Sequence, residues 1–78
     1  MNKAKDQLTI RLMDARASIL KSISPAITYM PYIIDRFPKY NSKDQKELIR
    51  RAFGLRHIDE QMIKDLETVA NNLKKQIA

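Results

Sequence analysis

Apolar residues return every three or four positions along most of this chain, and a single glycine interrupts it. That spacing stacks side chains on one face of an α-helix. A half-buried strand needs strict alternation instead, and no segment shows it between turn signals. The 78 residues contain no cysteine, so neither disulfides nor thiolate chemistry can contribute. A chain this short buries only about 60% of its unfolded surface and is too small for a dinucleotide-binding sheet or a barrel. The expectation is an all-α fold, a single small bundle of four to five helices over residues 1–78.

The stripes place the elements. Leu8, Leu12, Ala15, Ile19 and Ile23, widened by Leu20, predict a first helix from about Ala4 to Ile23 within residues 1–24. Ser24-Pro25 ends it, and the same dipeptide suits the start of a following element. Ile27, Met30, Ile33, Ile34 and Phe37 continue at helical spacing, but Pro31 interrupts them. An interior proline costs about 3 kcal/mol. A turn is therefore expected to end near Met30, with a second helix from Pro31 to Arg36 or Phe37. Pro38-Lys39-Tyr40-Asn41 reads as a turn. Ser42 and Gln45 form a capping-box pattern, opening a third helix from Lys43 to about Phe53 with Leu48, Ile49, Ala52 and Phe53 on its apolar side. Gly54 stands where a left-handed residue commonly ends a helix. Asp59 is the expected cap of a last helix within residues 58–77, with Ile58 and Ile63 at staple spacing. Ile58, Met62, Leu66, Val69, Ala70, Leu73 and Ile77 make its continuous stripe.

Charge is unevenly spread. Fifteen Lys and Arg against nine Asp and Glu give +6, with a pI near 9.8. Such a surface concentrates polyanions, although a basic balance also serves solubility alone. Residues 42–56 hold Lys43, Lys46, Arg50, Arg51 and Arg56 against Asp44 and Glu47, a net +3. Residues 57–78 hold three basic and four acidic groups, a net −1. Lys43, Lys46, Glu47 and Arg50 fall on one helix face, opposite the apolar side. A helix anchored on one side and carrying long donors on the other suits phosphate and base-edge contacts. A short helix, a turn and a capped helix match helix-turn-helix dimensions, placing that unit at residues 31–56. Ser42 and the free N–H groups of the first turn would add a phosphate contact. The same pattern also describes the solvated face of an ordinary bundle helix.

The stretch from Met30 to about Ala70 resembles small helix-turn-helix regulators of phages and mobile elements. In those proteins a Leu-Pro opens the second helix, and a short basic loop follows the recognition helix. Met30-Pro31 stands for the first feature and Gly54-Leu55-Arg56-His57 for the second. Ile49, Ala52 and Phe53 stand for the buried positions of the recognition helix. Asp59-Glu60-Gln61-Met62-Ile63 matches the acidic start of the next one. The chain departs from the pattern at Pro38–Asn41, which replaces a glycine-containing turn, and at Gly54, one position early. The resemblance implies a double-stranded DNA partner for Lys43, Gln45, Lys46, Arg50 and Arg51, and a regulatory, non-enzymatic role.

Other chemistry has less support. The carboxylates are scattered among basic groups, and His57 beside Asp59 and Glu60 lacks a third partner, so no catalytic site, metal or cofactor is expected. His57 is instead a further candidate for a phosphate. Tyr29, Tyr32 and Tyr40 suit either DNA contacts or closure of a small core. The long last stripe admits a helical protein-interaction module, or a homodimer through the first or last helix, besides packing within the chain. A membrane partner is not expected, because the first helix lacks an aromatic anchor and carries Asp6 and Asp14. No apolar leader follows Met1–Lys5, so the expected compartment is the cytoplasm.

Overall fold

The computed structural model describes the backbone of residues 3–25 and 28–77, with side chains for 6–25 and 28–75. Ile27 and the side chain of Ile77, both expected on apolar stripes, lie outside the described residues. Among the described residues four α-helices and a 3-10 turn make up an all-α fold, and no strand occurs. The helices are α1 (Lys3–Ser22), α2 (Tyr29–Arg36), α3 (Lys43–Phe53) and α4 (Glu60–Ile77), with the 3-10 turn at Pro38–Tyr40.

The stripes are buried as their period requires. Leu12, Ala15, Ile19 and Ile23 of the α1 stripe meet Met62, Ile63, Leu66, Val69, Ala70 and Leu73 of α4 in one core. Ile33 of α2 and Ile49 of α3 are fully buried in it as well, so every helix contributes. Each such side chain favours folding by about 1.5–3 kcal/mol on burial. α1 and α4 form the most extensive helix pair, and they run in the same direction. The guanidinium of Arg11 clamps the Glu67 carboxylate across them at 2.6 and 3.1 Å. The apolar run of α4 is thus covered within the chain.

Helix α2 begins at Tyr29, two residues before the expected start at Pro31. Pro31 falls in the first turn, where N–H groups have no intrahelical acceptor and a missing one costs little. Ahead of this helix residues 23–25 form a bend, and the Thr28 N–H and hydroxyl both donate to the Pro25 carbonyl, a turn bond. The helix stops at Arg36, with the Phe37 N–H donating to the Ile33 carbonyl at 2.8 Å.

Helix α3 has the expected bounds. The Ser42 hydroxyl oxygen accepts from the Gln45 N–H at 3.2 Å. Its exit differs from the expectation at Gly54, which keeps φ −89° while Leu55 takes the left-handed conformation at φ 62°. The Leu55 N–H donates to the Ala52 carbonyl at 3.0 Å and the Arg56 N–H to the Arg51 carbonyl at 2.7 Å. These two bonds are those of a Schellman cap, one residue later than glycine alone suggested. Leu55 packs against the core, which holds it there despite the usual cost to a residue with a Cβ. At the start of α4 the Asp59 carboxylate accepts from the Met62 N–H at 2.8 Å, as a cap does.

Two long-range contacts fix α3 at its ends. Tyr29 stacks on Phe53 with centroids 3.9 Å apart and planes 6° apart, joining the start of α2 to the end of α3. The 3-10 turn that leads into α3 is tied to α4 through Asp65, the one buried charged residue among those described. Its carboxylate accepts from the Tyr40 hydroxyl, from Lys39 Nζ at 2.8 Å and from Gln61 Nε2 at 3.1 Å. Burial pushes the Asp65 carboxyl up, but these donors outweigh it and hold it below the usual carboxylate range. Burial, and then the same hydrogen bond, push the Tyr40 hydroxyl well above its ordinary value.

Candidate nucleic-acid interface

Helix α3 divides along its length. Ile49 and Ala52 are buried, while Lys43, Asp44, Glu47, Arg50 and Arg51 are exposed. Ser42 is exposed just ahead of Lys43, so its hydroxyl sits at the open N-terminal edge of this face. The division follows from 3.6 residues per turn applied to a sequence with apolar groups at 48, 49, 52 and 53. The basic side chains therefore project away from the core.

Two of the expected site residues sit differently from the rest. Lys46 is half-buried at the edge of the face. Gln45 is also half-buried and borders a groove with Lys39, Tyr40, Leu48, His57, Asp59 and Met62. Five positions separate it from Arg50, about 140° around the helix, so the two side chains cannot address one surface. His57 belongs to the Gln45 groove. Of the tyrosines, Tyr40 is buried and Tyr29 is stacked on Phe53, while Tyr32 remains exposed.

Arg56 joins the face for a reason that lies beyond the helix. The Schellman cap turns the chain back at Leu55, bringing Arg56 to a cleft of about 300 Å³ that it shares with Glu47, Arg50, Arg51 and Gly54. Three of the last carbonyls of α3 are already engaged. Those of Arg50, Arg51 and Ala52 already accept from Gly54, Arg56 and Leu55.

Glu47 lies among the basic groups of this face and pairs with two of them. Its carboxylate lies 3.3 Å from Arg50 and 3.7 Å from Arg51, so one acid serves both arginines. The signal was present in the sequence as spacings of three and four, the distances at which helix side chains meet. All three groups are more than half exposed, so these pairs add little to stability. The cleft carries three arginines and one carboxylate, and it stays positive.

The rest of the surface offers less chemistry. Among the described residues no three His, Asp or Glu side chains gather as metal ligands. No described helix is long and apolar enough to cross a membrane. On α1 the outward face carries exposed Ile10, Met13 and Ala17 with half-buried Leu20. Comparison with protein-family models, with curated proteins and with solved structures finds no match.

Proposed function

We propose that the chain is a small non-enzymatic regulator that binds double-stranded DNA through the outward side of α3 and the loop after it. The supporting observation is the exposure of Lys43, Arg50, Arg51 and Arg56 together, on an element whose reverse side is buried in the core. Long donors on a helix whose backbone is held by the core meet phosphates without reordering the chain, and such contacts position a helix against a duplex. Ser42, at the open N-terminus of α3, adds a hydroxyl to the same edge, and Lys46 borders it. Gln45 and His57 take no part in this docking, because they address a different groove. In this reading α2, the 3-10 turn and α3 act as the helix-turn-helix unit, with the six residues 37–42 as a long turn.

The test is binding of mixed-sequence duplex DNA against salt. Lys43, Lys46, Arg50, Arg51 and Arg56 are five basic groups. Glu47 offsets one of them, so at about 0.9 per phosphate neutralised the expected slope of log K against log salt is about −3.6. A flat salt response, or no binding at low salt, defeats the proposal.

The outward face of α1 favours a second reading, self-association. Ile10, Met13, Ala17 and Leu20 are spaced three, four and three apart, the a/d spacing of a helix pair. A second copy carries the same seam, and a two-fold dimer would suit a palindromic site. Sedimentation equilibrium should give a dimer that Met13→Glu converts to a folded monomer; a wild-type monomer at high concentration removes this reading.

A further inference from the structure

We infer that the cleft between Arg50, Arg51 and Arg56 is a phosphate-binding site, and that Glu47 is its built-in competitor. The inference deepens the DNA-binding proposal, with a backbone phosphate as the ligand in the complex. It starts from a mismatch. Two of the three arginines in the cleft have their guanidinium groups directed at one carboxylate, at 3.3 and 3.7 Å. Those pairs are exposed and weak, so they are easily exchanged for a stronger partner. A phosphate offers acceptor oxygens to guanidinium groups, whose planar forks match it two bonds at a time. Arg56 supplies the third fork from the far side of the cap.

The floor of the cleft permits a close approach. Gly54 has no side chain, and even a Cβ there would meet nothing nearer than the Arg50 and Arg51 carbonyl oxygens at 3.6 Å. Those oxygens already accept from backbone N–H groups, which lessens their repulsion of an anion, and the three guanidinium groups outweigh what remains. The free protein therefore holds its arginines on Glu47, and ligand binding releases them. The carboxylate opposes binding in two ways, by occupying donors and by repelling the phosphate.

The experiment compares wild type, Glu47→Gln and Glu60→Gln. Glu60 is an exposed acid paired to Lys64 at 3.9 Å, so its replacement makes the same change in net charge and breaks a similar helix pair elsewhere. Duplex DNA binding is measured by fluorescence anisotropy over a salt series. Inorganic pyrophosphate is titrated in parallel, following the arginine Nε–H signals by NMR. Glu47→Gln should bind DNA about eightfold more tightly at 0.1 M salt, with a slope steeper by about 0.9, the value of one further phosphate neutralised. Glu60→Gln should stay within about twofold of wild type, and pyrophosphate should shift the Arg50, Arg51 and Arg56 signals, at lower concentration in Glu47→Gln. Equal increases in affinity in both variants, or weaker binding by Glu47→Gln, overturn the inference while leaving DNA binding in place. No DNA binding by any variant, with pyrophosphate still captured more tightly by Glu47→Gln, upholds the cleft and removes the DNA proposal. No response to either probe overturns both.

Discussion

Asp65→Ala should lower the stability of the fold by about 2–3 kcal/mol at neutral pH. The carboxylate is the shared acceptor for Tyr40, Lys39 and Gln61, so its removal leaves a buried phenol hydroxyl without a partner and releases Lys39. An unsatisfied buried donor costs about 1–3 kcal/mol, and loss of a charged acceptor adds to that. The pair with Lys39 is half-exposed on the lysine side and contributes the smaller share. In a domain of this size each kcal/mol moves the midpoint by about 4–8 °C, so thermal unfolding followed by circular dichroism should drop by about 10–20 °C. Asp65→Asn should fall between the two proteins, since it keeps an acceptor and loses the charge.

The same carboxylate makes a pH prediction. Its folded value lies below its unfolded value, which is about 3.9. Its contribution is therefore present above about pH 4 and is lost as pH falls through the lower folded value. The difference in melting temperature between wild type and Asp65→Ala should narrow as pH falls below about 4, the ordinary carboxylate value. A gap that is unchanged in acid would show that the carboxylate's charge is not what anchors the turn. Glu67, held low by the Arg11 guanidinium, loses its ion pair in the same direction and weakens both proteins alike.

The double variant Arg50→Ala/Arg51→Ala carries the largest expected effect on binding. Removing two phosphate partners, each worth about 0.9, should reduce the salt slope by about 1.8 and the affinity for duplex DNA about 60-fold at 0.1 M salt. The deficit should shrink towards 1 M salt, because these side chains act through counterion release. Both are more than half exposed and pair only weakly with Glu47, so the melting temperature should hardly move. An unchanged affinity with an unchanged fold would place the docking surface elsewhere. Equal weakening across DNA sequences would assign these arginines to phosphates, whereas weakening confined to one sequence would assign them to base edges.

Much of the architecture is legible from local pattern. Helix α3 runs from Lys43 to Phe53 as its capping serine and apolar spacing predict, and Asp59 caps α4. These features depend on groups within four residues of one another, governed by backbone sterics and by the first-turn N–H groups. The start of α2 is earlier than Pro31 suggests, because a first turn tolerates the proline that a helix interior would not. The exit of α3 lies one residue beyond the position that Gly54 marks. Glycine is the usual left-handed residue, but here packing of Leu55 against the core decides.

The candidate site divides in the same way. Lys43, Arg50 and Arg51 are on the outward side of α3 by its period alone, and Glu47 is available to the same reasoning. The family resemblance implies that surface for Gln45 as well, but the helix carries it to the groove beside His57. Arg56 reaches the cleft only through the backward turn at Leu55. The helices, the N-caps of α3 and α4 and the two-sided character of α3 were thus determined by the sequence itself, because each arises within a turn or two of chain. Tertiary structure alone decided that α4 spends its apolar stripe on α1, that Asp65 anchors a tyrosine 25 positions away, and that Arg11 meets Glu67 across 56. Contacts of that separation exist only once the helices have packed, since no local backbone preference brings such residues together.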